Sequence, residues 1–139
     1  MRLPALFFAA LSLTACVSPA LSDTEFAGID WHLVGLEGQE VAWDSSIRFD
    51  GDKVAGKAAC NRWFGTNAAI FPEVAIQAIG ATKMACPDMA AESVYFEALQ
   101  AMQRAELDQD HLFLTGPEGR IMEFARDPAE PCLSCLARQ

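Results

Sequence analysis

One stretch of this chain has a different period from everything around it, and that contrast decides the fold class. Ala91, Val94, Tyr95, Ala98, Leu99 and Met102 recur at spacings of three and four. That period lines apolar side chains along one face of a helix. Pro87 and Asp88 stand just ahead of the run as N′ and N-cap, and Glu92 falls in the first turn, where the dipole favours an acid. The spacing predicts a helix of about four turns near Met89 to Arg104. Elsewhere the pattern alternates by two, as strands do. Trp31 to Leu36 (WHLVGL), Ile47 and Phe49 ahead of an Asp50-Gly51 turn, and Val74 to Gly80 (VAIQAIG) read as strands. Val54, Gly56, Ala58 and Cys60 share the face of another strand. His111 to Leu114 and Arg120 to Arg126 read as a hairpin around Gly116 to Gly119. The chain is therefore β-rich with one helix packed on the sheet, and its expected core is Trp31, Phe49, Val54, Ile76, Val94, Leu99, Leu112, Leu114 and Phe124.

The first residues follow another logic. Arg2 precedes an apolar run, Leu3 to Leu13, whose eleven residues would span only about 16 Å as a helix, too short to cross a bilayer. Residues 1–15 are expected to be a secretory signal peptide. Leu13-Thr14-Ala15-Cys16 resembles the bacterial lipobox, which implies cleavage before Cys16 and a lipid anchor on it. Two or three acyl chains make such anchoring stable. Val17, rather than Asp, follows the anchor, so the expected location is the periplasmic face of the outer membrane. Residues 16–28 read as a tether.

The 139 residues give one domain, and ten Lys and Arg against nineteen Asp and Glu leave a net charge of −9. No basic cluster is dense enough to follow a phosphate backbone, so nucleic acid is excluded as an expected partner. No catalytic motif appears: there is no G-x-S-x-G elbow, no H-E-x-x-H and no phosphate-cradling glycine loop. His32 and His111 read as strand residues, and Asp50, Asp52, Asp108 and Asp110 as turn charges. Trp31, Trp43, Trp63, Phe64 and Phe71 read as core and edge packing. No catalytic residue, metal ligand or cofactor is expected.

Setting Cys16 aside leaves Cys60, Cys86, Cys132 and Cys135, an even number that suggests disulfides in an exported protein, with three possible pairings. The spacing favours Cys60 with Cys86 and Cys132 with Cys135. The second pair, in Cys132-Leu133-Ser134-Cys135, reads as a structural clip or as a thiol–disulfide redox motif. It lies in a tail, 127–139, beyond the last expected strand, and removing that tail is expected to cost little stability.

Gly56 to Gly65 (GKAACNRWFG), then Thr82-Lys83-Met84-Ala85-Cys86, then Glu92, Phe96 and Leu99 in E-x-x-x-F-x-x-L spacing, resemble the META domain, or HslJ-like, family. Trp31, Leu112, Leu114 and Phe124 match as well, so the resemblance covers 29–126. It implies an α+β fold, mostly antiparallel β: a small β-barrel-like sheet with one packed α-helix. It also implies that Trp31, Gly56, Asn61, Gly65, Thr82, Met84, Glu92 and Phe96 are signature positions with structural roles. Many members are bacterial envelope lipoproteins, and one is heat-inducible. The expected function is a non-catalytic, stress-linked or assembly-related binding module for an envelope protein or hydrophobic ligand. The alternative is a redox-active or redox-sensing lipoprotein using Cys132 and Cys135.

Overall fold

Antiparallel hairpins account for most of the chain between Trp31 and Ala125. In this computed structural model, which describes residues 22–137, the strands are β1 (Trp31–Leu36), β2 (Gln39–Glu40), β3 (Ser46–Asp50), β4 (Lys53–Lys57), β5 (Arg62–Asn67), β6 (Ile76–Ala81), β7 (Arg104–Asp108), β8 (His111–Thr115) and β9 (Ile121–Ala125). The helices are α1 (Met89–Ala101) and the single-turn α2 (Leu133–Leu136). The expected signal peptide, the lipidation site Cys16 and the start of the tether lie outside the described residues.

All nine strands form one sheet in the order β6-β5-β4-β3-β1-β9-β8-β7, with β2 appended to β1, and every ladder is antiparallel. The α+β architecture is as expected, with one correction: the sheet is not a closed barrel. Its free ends, β6 and β7, meet only through the residues leading into β6. These make a single bridge, Glu73 to Arg104, with Val74 N donating to Gln103 O and Ala105 N to Pro72 O. The chain then passes into the β5 ladder at Ile76, so no continuous β6–β7 ladder develops.

Alternation places the core inside the curve of the sheet. Ile47 and Phe49 of β3 are buried between exposed Arg48 and Asp50. On β5, Trp63, Gly65 and Asn67 turn inward, and Phe64 turns outward over Gly80. Gly56 admits no side chain, because a Cβ there would lie 1.9 Å from the Ser46 carbonyl oxygen on β3. Phe26, Phe49 and Phe71 meet edge to face. Such pairs contribute about 0.5–1.5 kcal/mol beyond area burial. Phe26 is wholly buried, although the sequence places it in the tether.

Four local expectations are corrected. The helix ends at Ala101, not Arg104: Met102 has extended backbone and caps it, and β7 begins two residues later. Val94, expected in the core, is 46% exposed. The buried face of α1 runs through Glu92, Tyr95, Ala98 and Leu99, and Val94 falls at its border. The regular alternation from Val74 breaks at Ala78, which has a positive φ of 52° where the β5–β6 register shifts, and Ala78 is exposed. That extra residue is the mark of a bulge. Finally, the tail is not loose. Cys132 is only 2% exposed and packs against Gly35 of β1, where a Cβ would stand 2.4 Å from its sulfur.

Candidate functional site

Asn61, directly after Cys60, is the centre of a closed polar cluster where β5 begins. Its backbone N–H donates to Glu92 Oε2 at 2.8 Å and its Nδ2 to Glu92 Oε1 at 2.8 Å, and Cys60 N also donates to Oε2 at 3.1 Å. Asn61 Oδ1 accepts from Thr82 Oγ1 at 2.8 Å and from Met84 N at 2.7 Å, while Nδ2 reaches Met84 O at 3.2 Å. Two donors and two acceptor sites are all that a carboxamide has. Asn61 is buried and saturated.

The surrounding chain makes this geometry. Ala58 N donates to Asn61 O, closing a tight turn after β4. The Cys60–Cys86 disulfide, with Cα atoms 5.8 Å apart, ties that turn to the segment entering α1. Glu92 sits one turn into α1 and so points back at both. The sequence leaves open whether Asn61 takes a left-handed conformation or bonds local backbone. The structure gives neither: Asn61 has no positive φ, and its side chain bonds Thr82, Met84 and Glu92, which are distant in sequence. Thr82 acts on the Asn61 side chain, and its own N–H bonds Arg62 O. The signature positions Asn61, Thr82, Met84 and Glu92 are thus one cluster.

The other signature residues serve packing. Trp31 is buried and donates through Nε1 to Phe26 O at 3.1 Å. Gly65 lies where a Cβ would meet Gln77 O at 2.9 Å. Phe96 stands edge-on to Trp63 and Tyr95. The Tyr95 hydroxyl donates to Ser46 O at 3.0 Å, and burial pushes its pKa far above the ordinary phenol range.

Two features remain after this cluster is accounted for. One is an open groove of about 500 Å³ between α1, the β1–β2 hairpin and the turn before β9. Leu36, Val41, Trp43 and Val94 supply apolar wall, and Glu37, Glu40, Glu118 and Arg120 supply charge. Arg120 pairs with Glu37 at 2.8 Å. The Trp43 indole N–H is buried without a partner among the described residues.

The other is the seat of the tail. Glu123 of β9 is completely buried, and its carboxyl accepts from Leu133 N at 2.7 Å and Ser134 N at 2.8 Å. His111 Nδ1 lies 2.9 Å from Glu123 Oε1, close enough to pair, although the N–H direction falls outside hydrogen-bond geometry. Cys132 Sγ is 3.4 Å from Glu123 Oε2, and its disulfide partner Cys135 has its Cα 5.3 Å away. Sequence reasoning missed Glu123 altogether. His32, by contrast, stands apart on β1, and Asp110 pairs with Arg126 at 3.2 Å on the surface.

An open antiparallel sheet, the helix α1, and a disulfide beside a saturated Asn–Glu cluster define a small α+β scaffold. The META domain pattern matches residues 24–129, and the chain belongs to that family. No curated protein matches it. Among solved structures it is similar to a protein from Burkholderia xenovorans solved by NMR, with a TM-score of 0.60 and 17% identity over 88% of this chain and 99% of the other. It is equally similar to a DUF4847 family protein from Bacteroides vulgatus, with a TM-score of 0.60 and 17% identity over 78% of this chain and 99% of that one. At that identity the likeness concerns the fold alone.

Proposed function

We propose that this chain is a bacterial envelope lipoprotein, anchored through Cys16 at the periplasmic face of the outer membrane, whose META domain is a non-catalytic binding module. The observation that carries the binding role is the groove beside Val94. It leaves Val94 and the Trp43 ring at an open site. Pockets of a few hundred Å³ with apolar walls and a few polar groups are where partners settle. The signature polar residues, in contrast, are spent on one another. The Leu13-Thr14-Ala15-Cys16 sequence supports the anchor, and membership in a family that includes envelope lipoproteins and one heat-inducible protein supports a stress-linked or assembly-related role.

A photoreactive amino acid placed at position 94 of the full chain tests this reading. In intact envelopes it should give one dominant adduct, lost when Trp43→Ala is added. Diffuse labelling that ignores Trp43→Ala would overturn the groove as the binding site. Mass spectrometry of the membrane fraction should find acylated Cys16, and an unmodified Cys16 peptide there would overturn the anchor.

A further inference from the structure

The binding role does not use the most expensively buried group in the molecule. Glu123 lies between Met122 and Phe124, whose side chains enter the core, so it projects from the opposite face of the sheet. A strand residue there would ordinarily meet water. Here the tail covers it completely, and burying a carboxyl demands compensation. Compensation comes from Leu133 N and Ser134 N, at 2.7 and 2.8 Å, with His111 Nδ1 close by but not aligned to donate. Everything in this arrangement converges on the disulfide. Gly35 has no side chain, the β1–β9 register shifts between Leu33 and Gly35, and Cys132 fills the space so made.

The two sulfurs are not equivalent. Cys132 is 2% exposed and touches Glu123, whereas Cys135 is half-buried on α2. Beside Cys135, Leu133 is 37% and Leu136 55% exposed, an apolar rim on a four-residue helix. A disulfide opens by in-line attack of a thiolate on one sulfur, and the other leaves. Cys135 is the less buried of the two and so the one nearer to attack from outside, while Cys132 lies against the Glu123 carboxyl.

We propose that Cys132, Cys135, Glu123 and His111 form a thiol–disulfide exchange site for a dithiol protein, with Cys135 the attacked sulfur and Cys132 the leaving group. The partner's thiolate bonds to Cys135 Sγ as the Cys132–Cys135 bond breaks. Cys132 departs as a thiolate and takes up the proton that the partner's attacking thiol gave to solvent. The partner's second thiol then attacks the mixed disulfide, leaving the partner oxidised and Cys135 as a thiol. Two electrons pass from the dithiol to the Cys132–Cys135 pair. Leu133 and Leu136 supply the docking rim.

Three measurements on the full chain test the site. Under limiting dithiothreitol, differential alkylation should find Cys132 and Cys135 reduced about tenfold faster than Cys60 and Cys86. Equal rates would overturn the proposal. With glutathione disulfide as probe, Cys132→Ser should form a mixed disulfide at Cys135 about tenfold faster than Cys135→Ser forms one at Cys132. The opposite order would overturn the assignment of attacked and leaving sulfurs. Glu123→Gln, which keeps the shape but removes one of the two oxygens that accept from Leu133 N and Ser134 N, should speed dithiothreitol reduction of the pair several-fold without changing the Cys60–Cys86 rate. A slower or unchanged reaction would remove Glu123 from the site.

Discussion

Glu92 grips Asn61 with both carboxyl oxygens, one on its backbone N–H and one on its side-chain Nδ2, each at 2.8 Å. The first turn of α1 is thereby locked onto the start of β5, which follows the Cys60 turn. Hydrogen bonds of this kind contribute about 1.5–3 kcal/mol when one partner is ionised, and an orphaned buried group costs about 1–3 kcal/mol. Glu92→Ala removes the acceptor for three donors at once. It should lower unfolding free energy by about 3 kcal/mol or more in urea titration. Asn61→Ala should cost a similar amount, and the double variant much less than the sum, because the two belong to one cluster.

The Cys60–Cys86 disulfide closes a separation of 26 residues, which the chain-entropy relation rates at about 3.5 kcal/mol. Replacing both cysteines with Ser should lower stability by roughly that amount in chemical denaturation. The Cys132–Cys135 bond closes a separation of only 3, and replacing both of its cysteines should cost about half as much through this route.

Tyr95 is the only tyrosine in the chain and is fully buried. Burial raises its folded-state pKa above the ordinary 10.0, so the native fold prefers the protonated phenol. The stability this brings is complete below pH 10, where the unfolded phenol is also protonated. It diminishes as pH climbs beyond that point, because only the unfolded chain then ionises. Phenolate absorbance should stay flat in the native protein above pH 10 and rise only together with loss of circular dichroism. A separate ionisation preceding unfolding would refute it.

Deleting residues 128–139 strips the cover from Glu123 and Gly35. The sequence alone suggests a negligible cost, since the last expected strand ends before the tail. The loss of two hydrogen bonds to Glu123 and of buried Cys132 instead predicts a drop of about 1–2 kcal/mol, read as a melting temperature several degrees lower.

How far the sequence could be read depended on whether inward positions were apolar. Helix α1 was legible because Tyr95, Ala98 and Leu99 carry its period. Its end was not, because Met102 stays buried after the backbone has turned extended, so the stripe outlasts the helix. Strand β5 carried no hydropathic signal: two of its three inward positions are Gly65 and Asn67. The family signature located Asn61, Thr82, Met84 and Glu92, but their mutual contacts depend on the Cys60 turn meeting the segment before α1. Glu123 was invisible for a different reason. Between Met122 and Phe124 it reads as an ordinary outward strand residue, and nothing local announces that the tail returns to cover it.

The strand order has a consequence for how the chain is made. β1, among the earliest pieces of the domain, lies at the middle of the sheet and pairs with β9, the last strand. His32 finds Ala125, and the Arg126 guanidinium rests 5.3 Å over the Trp31 ring. Until Ile121–Ala125 is synthesised, β1 and β8 each expose an unsatisfied edge, and the half-built sheet has no stable resting form. Such a chain assembles only when complete. A design that postpones closure to its final strand keeps the chain open until all of it is available.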